Sequence, residues 1–453
     1  MEPELRLVNV KLPLGSEGIL YRLSVKDGVW VNIEVQEEEG TSDHFLPIEE
    51  WDGKAEQTID LKGKILLPGF VDAHMHLDKA YSLPQVGNQS GTLLEAIENY
   101  SKSAPRFSKE EIKARMTRAA LQAVSYGTTA IRTHLDFHVK HGAEVALRTV
   151  EAALEVKEDL KDYVEIQLFP IFPFNLLPDE AAEVVEESLR MGVTGVGGAP
   201  HLSPTPEKDI DVIFRLAEKY DRPIDLHTDE SDDPQVKTIA YIAQKTMEYG
   251  WSGRVTAGHL CSLAAMSDEE ANPLIEGMAR AGISAVTLPG ANLYLQGRYD
   301  SFPVRRGVTR VKGLLEAGIP LATASDNIHD PFHPFGRGDL LLIGLITAYA
   351  AHMGSPSNLR QLLTMMTENP AKILGLEGYG IRIGKDADFV VFDGKTPEEL
   401  FTELPDRRWV WRKGRLLKSA GKKREWKDSH LTQLWEDSLE RLDLNQRRRI
   451  KVM

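Results

Sequence analysis

Hydrophobic and polar positions alternate over short stretches at the start of the chain: Leu5 to Val10, Leu20 to Val25, Val29 to Val35, and Ile59 to Leu66 across a glycine break. A period of two over runs this short predicts a small β module. From Leu66 to about Leu376 the texture changes to short apolar runs separated by long amphipathic stretches. That alternation predicts βα units on a parallel sheet. The runs are Leu66–His76, Thr129–Asp136, Val164–Phe172, Gly195–His201, Pro223–Glu230, Arg254–His259, Ile283–Leu288 and Pro320–Asp326. Helical candidates between them include Glu110–Ser125, Ala143–Glu158, Pro178–Arg190, Glu207–Lys219, Val236–Tyr249, Asp268–Ala281 and Val308–Ala317. Eight strands with intervening helices predict an α/β protein built on a (β/α)8 TIM-like barrel, a fold that takes about 250 residues. A doubly wound sheet is the alternative, but no glycine-rich dinucleotide turn follows the first run.

Alternation returns in Asp388–Phe392 and Trp409–Leu417. These segments are expected to complete the N-terminal module as a β-sandwich. The expected division is 1–65 and 377–420 for the two parts of that module, 66–376 for the barrel and 421–453 for a charged tail. In the tail Leu431, Leu434, Leu439 and Leu442 recur at near-helical spacing, which predicts a terminal helix docked on a neighbour or partner.

Composition narrows the function. The 453 residues are 42% hydrophobic and 27% charged, as in a globular protein with a sizeable core. A net charge of −14 disfavours nucleic acid and anionic membranes as partners, and a small-molecule ligand fits better. The single cysteine, Cys261, excludes an internal disulfide framework and a thiolate metal cluster, so a bound metal must rest on His, Asp and Glu. No basic stretch leads into an apolar run at the start, and no window approaches the roughly 18 apolar residues of a membrane helix. The expected location is the cytoplasm.

The metal-ligating residue types fall at the ends of the predicted strands. His74 and His76 close the first run, His227 and Glu230 the fifth, His259 the sixth and Asp326 the eighth. Residues i and i+2 of a strand point to one side, so His74 and His76 can converge. Barrel enzymes carry their functional residues at the C-terminal strand ends. Imidazoles and a carboxylate gathered there suit one first-row divalent ion with a position left open for water.

The stretch Pro68-Gly69-Phe70-Val71-Asp72-Ala73-His74-Met75-His76-Leu77-Asp78, together with His227, His259 and Ser325-Asp326, resembles the amidohydrolase superfamily. Within it the chain is similar to bacterial cytosine deaminase and N-isopropylammelide isopropylaminohydrolase through Asn88–Thr92, Ile131–His134, Ala217–Arg222, Leu295–Arg298, Arg305–Lys312 and Asp330–Pro334. The resemblance implies His74, His76, His227 and Asp326 as ligands of the metal, Glu230 as proton shuttle, and His259 beside the attacking water or the leaving group. It also implies an aminohydrolase acting on a nitrogen heterocycle, with loss of ammonia or an amine. A divalent ion can bring the pKa of its water from about 15.7 to near 7 and so supply hydroxide, the nucleophile expected to attack a C=N carbon. Asp326 is expected to ligate the ion and to help hold the proton during attack. Two-metal members bridge their ions from the end of the fourth strand with a carboxylated Lys or an acid. The fourth run here ends Ala199-Pro200-His201, so a single ion is expected, zinc ahead of iron or manganese.

Departures from cytosine deaminase bear on substrate. Phe174 stands where that enzyme has an amide suited to cytosine, which argues against cytosine itself. Lys79 follows the His-x-His-Leu-Asp stretch, as a cation favouring an oxo or anionic substrate edge or as a surface salt-bridge residue. Asn327 follows the metal aspartate where cytosine deaminase has a second acid. His201 is a candidate substrate contact with a structural role as its alternative, and Gln296 and Phe332 are further candidates from the loops after strands seven and eight. A ring-opening cyclic amidase on the same site is the competing activity. Relatives form multimers, and a homo-oligomer is expected.

Overall fold

The computed structural model describes residues 5–16, 18–37, 45–51, 58–172, 179–406, 408–419 and 433. Phe174 and the charged tail lie outside the described residues, apart from Gln433.

Eight parallel strands form one sheet in sequence order: β7 (Phe70–Met75), β8 (Thr128–Asp136), β9 (Glu165–Phe172), β10 (Val196–Gly198), β11 (Ile224–Thr228), β12 (Val255–His259), β13 (Ser284–Thr287) and β14 (Leu321–Thr323). The barrel nearly closes between β14 and β7 through two backbone hydrogen bonds, Asp326 N–H to the His74 carbonyl at 2.9 Å and His76 N–H to the Asp326 carbonyl at 3.2 Å. This seam therefore fixes the backbones of His74, His76 and Asp326 against one another. Every residue of β7, β11 and β12 is buried, which is why those strands read as continuous runs rather than alternating ones.

The expected helices form close to their predicted bounds, as at Lys109–Ser125, Ala143–Leu160, Pro206–Tyr220 and Asp268–Ala281. Local chemistry sets their ends. Ser108 accepts from Glu111 N–H while the Glu111 carboxylate accepts from Ser108 N–H, and Ser267 and Glu270 repeat the arrangement. Ile239–Glu248 and Val311–Glu316 are shorter than predicted. Three helices at Leu340–Ala350, Pro356–Met366 and Glu368–Leu374 follow the last barrel strand.

The first predicted run, Leu66–His76, is in fact two strands. β6 (Leu66–Pro68) leaves the barrel and pairs with β15 (Phe389–Phe392), which continues through β16 (Arg408–Arg412) to β17 (Arg415–Lys418) in an antiparallel sheet. Gly69 makes the switch, because a Cβ there would stand 2.3 Å from Thr129 Oγ1. The predicted Ile59–Leu66 strand likewise splits, and Thr58–Asp60 (β5) joins a five-stranded sheet with β1 (Leu5–Lys11), β2 (Leu20–Lys26), β3 (Val29–Gln36) and β4 (Leu46–Pro47). The two sheets share a core in which Trp411 stacks on Phe389 at 4.6 Å and Trp30 packs on the same ring. N- and C-terminal segments thus meet in one β-sandwich, as the alternation predicted. A buried bidentate pair, Arg408 to Asp339 at 2.8 and 3.2 Å, ties β16 to the start of Leu340–Ala350. Among the described residues no helix is long and apolar enough to cross a membrane.

Candidate active site

Inward-facing positions of the barrel carry polar residues at spacing two, Asp72 and His74 on β7, Arg132, His134 and Asp136 on β8, and Asp225 and His227 on β11. The deeper layer is a floor. Arg132 donates to Asp225 Oδ2 at 2.7 Å, to Gln167 Oε1 at 2.9 Å and to the Ile373 carbonyl at 3.2 Å, filling the barrel with a polar network.

Above the floor, His74, His76, His227 and Asp326 converge. His76 Nε2 lies 3.1 Å from His227 Nε2, and Asp326 Oδ1 lies 3.3 Å from His76 Nε2 and 3.6 Å from His74 Nε2. All four residues are buried. Both ring nitrogens of His74, together with Asp326 Oδ1, have no hydrogen-bond partner. His134, its ring centre 4.0 Å from that of His74 and tilted by 34°, is also without one. Burial, then the neighbouring imidazoles and cations, pushes His74 and His227 far below the ordinary histidine range. Burial, then the charges of Glu230 and Asp330, pushes Asp326 far above the carboxylate range. Buried lone pairs facing one another without protons between them are unfavourable unless a cation gathers them. The residues present therefore fit a divalent ion, and His74, His227 and His259 form an overlapping set of suitable spacing.

Backbone strain accompanies the cluster. His259 has φ 68° and Asp326 φ 61°, in the left-handed region that side chains disfavour, and Asp229 beside Glu230 has φ 49°.

Glu230 stands at the cavity wall just past β11. Burial pushes its carboxyl up to about 8, against the opposing pull of Lys79 and of a hydrogen bond from Asn292. Asn292 Nδ2 lies 3.2 Å from Glu230 Oε1 and 3.1 Å from His259 Nδ1, and those two atoms are 3.3 Å apart. Asn292 sits on the short helix Pro289–Leu295 after β13 and is 1% exposed. From the sequence it is one polar residue among several in the segment that follows β13. The available signal was its position past a barrel strand.

The Amidohydrolase family profile matches residues 57–139 and 92–417. The chain is 34% identical over 367 residues to a pterin deaminase of Rhizobium rhizogenes, covering 79% of this chain and 82% of the relative. It is also 34% identical over 385 residues to N-isopropylammelide isopropyl amidohydrolase of a Pseudomonas species, covering 83% and 91%. Among solved structures, 5-methylcytosine deaminase from Klebsiella pneumoniae with 5-fluorocytosine superposes with a TM-score of 0.84 at 28% identity, over 93% of this chain and 99% of the other. The chain belongs to the amidohydrolase family. It is a hydrolase.

In this amidohydrolase the histidine and aspartate cluster opens onto a cavity of about 250 Å³ whose walls include Lys79, His201, Asn327 and Phe332. Leu93, Ile97, Phe172 and Leu295 add apolar surface to its walls. Gln296 lies instead in an adjoining outer cleft that shares Glu230 and His201 with the cavity. Lys79 is no surface residue. It is 3% exposed, its Nζ lies 2.8 Å from Asp136 Oδ1, and it sits 4.2 Å from the Phe332 ring centre. Asn327 donates to Asp330 Oδ2 at 2.7 Å. His201 Nδ1 lies 3.1 Å from the His227 carbonyl, which can only accept, so Nδ1 carries the proton. His138 also lines the cavity, with Nε2 3.4 Å from Asp136 Oδ2. Cys261 is a free, buried cysteine.

Proposed function

We propose that this amidohydrolase is a hydrolytic aminohydrolase that attacks a C=N carbon of a nitrogen heterocycle of the pyrimidine, triazine or pterin kind, releasing ammonia or an amine. The observation that carries the reading is Glu230, a buried carboxyl at the wall of the same cavity as the histidine and aspartate cluster, with a proton affinity raised to about 8. The names of the relatives support the substrate class.

His74, His76, His227 and Asp326 would hold one divalent ion, with zinc the first choice for three imidazoles and a carboxylate. Bound there, the ion supplies Lewis acidity that makes water a nucleophile near neutral pH. Glu230 accepts the proton released in attack and delivers it to the ring nitrogen or the leaving amine, a task suited to a group titrating near neutrality. His259 stabilises the oxygen that is added. Asp326, whose backbone is locked into the barrel seam, would ligate the ion and help hold the proton during attack. Lys79 and Asn327 read polar edges of the ring, His201 a further edge, and Phe332 covers its face.

Metal-loaded protein assayed against pterin, cytosine, ammelide and N-alkylammelides, with ammonia or amine release measured beside product mass, tests this reading. Amine loss from any of them supports it. A gain of one water with all nitrogen retained would identify a ring-opening amidase instead, and no turnover of any C=N substrate would overturn the reading.

A further inference from the structure

Glu230 Oε1, His259 Nδ1 and Asn292 Nδ2 form a triangle with sides of 3.2, 3.1 and 3.3 Å, buried at the cavity wall. The protons of this triangle decide what Glu230 and His259 can do. An amide nitrogen has two protons and no lone pair to offer, whereas an amide oxygen only accepts. With the amide turned the other way, its oxygen would face Glu230 Oε1 in the ionised form that accepts the proton released in attack, an acceptor against an acceptor in a buried setting. The nitrogen therefore faces the pair, and both Glu230 Oε1 and His259 Nδ1 are acceptors.

We propose, on the footing of the aminohydrolase reading, that Asn292 is the positioning residue that sorts protons in this site. It keeps Glu230 Oε1 as an acceptor, so that the proton Glu230 carries rides on Oε2, and it keeps His259 Nδ1 bare, so that the His259 proton sits on Nε2. His259 Nε2 is buried and has no protein partner. As an N–H it donates to the oxygen added to the substrate. As a bare nitrogen it would repel that oxygen. A single amide thus gives the acid and the oxygen-stabilising group their complementary roles, and Asn292 touches neither substrate nor nucleophile.

The test uses the full chain loaded with zinc and labelled with ¹⁵N-histidine, and reads the His259 tautomer by proton–nitrogen correlation, with His259→Gln assigning the signal. The proposal expects an Nε2–H tautomer in the wild type, a mixture in Asn292→Ala, and a protonated Nδ1 in the isosteric Asn292→Asp. In the same variants kcat falls about 10²-fold or more while KM stays within about threefold, measured on whichever of pterin, cytosine or N-isopropylammelide the wild type turns over. An Nδ1–H tautomer in the wild type overturns the proposal. So does a folded Asn292→Asp with wild-type kcat, or a variant that loses only thermal stability. The tautomer is read without substrate, so failure to turn over all three compounds would sink the aminohydrolase reading and leave this inference to be decided by the spectrum.

Discussion

Replacing Lys79 with Met keeps the aliphatic stem and removes the charge. The Lys79 and Asp136 side chains are 4% and 14% exposed with N and O 2.8 Å apart, a separation worth about 6 kcal/mol of Coulomb energy at an effective dielectric of about 20. Removing one partner of such a pair strands the other, with losses of about 3–5 kcal/mol. Here the stranded group has an unfavourable neighbour in the Asp78 carboxyl, which is held close by accepting from Asp136 N–H at 2.9 Å. Burial, then the charge of Asp136, already pushes Asp78 up to about 7. Asp136 lies at the cavity and can take up a proton, so the expected loss is at the lower end, about 3 kcal/mol. With roughly 2.1 cal/mol/K per residue of unfolding entropy, 453 residues give about 1 kcal/mol/K and hence a Tm drop of about 3 °C.

The sign with pH follows from Asp136. Against the upward push of burial, Lys79 and then His138 hold its carboxyl below the ordinary range. A depressed carboxylate contributes stability that is fully present above its unfolded pKa, about 4, and is lost as pH falls through the folded value. The difference between wild type and Lys79→Met should therefore be largest at neutral pH and shrink below about pH 4. Urea unfolding monitored by tryptophan fluorescence at pH 7 gives the loss, and Lys79→Met/Asp136→Asn closes a double-mutant cycle. The double variant should recover about 2 kcal/mol relative to the sum of the singles. A loss below about 1 kcal/mol at pH 7, or strictly additive singles, would refute the reasoning.

Glu230→Gln should lower kcat by about 10²–10⁴ while leaving metal content at the wild-type level by elemental analysis, because the carboxyl moves a proton and does not hold the ion. Chelation should abolish turnover and lower Tm, with both restored by one equivalent of zinc, since an ion binding only the folded chain stabilises it by mass action. Burial pushes His333 down to about 4, so between that value and the unfolded one, about 6.5, the unfolded chain binds more protons. Stability linked to His333 is present above about pH 6.5 and lost as pH falls toward 4. Urea unfolding at pH 4.5 and 7.5 should show wild type losing about 2 kcal/mol more than His333→Asn over that window.

The barrel was legible because its signal is local: a buried parallel strand is a short apolar run, and eight such runs recur between amphipathic helices. What failed were the places where one apolar run serves two sheets. Leu66 to Met75 is continuously buried, so hydrophobicity cannot mark the change of partner at Gly69. Leu340–Ala350 is apolar almost throughout, and with no polar face it offers no period to read.

The same distinction runs through the site. His74, His76, His227, His259 and Asp326 are scarce residue types at strand ends, and strand geometry alone brings such positions to one mouth. Lys79 and Asp136 meet across 57 residues, and each by itself looks like an ordinary surface charge. Asn292 is harder still, because an amide carries no charge and its helix is only seven residues long. Its importance comes from two acceptors, on β12 and just past β11, that face one nitrogen atom. Residues that meet the substrate can be read from chemistry and position along the chain. A residue that works by fixing which atom of a neighbour bears a proton is visible only once the three atoms are placed, and in this site that residue is Asn292.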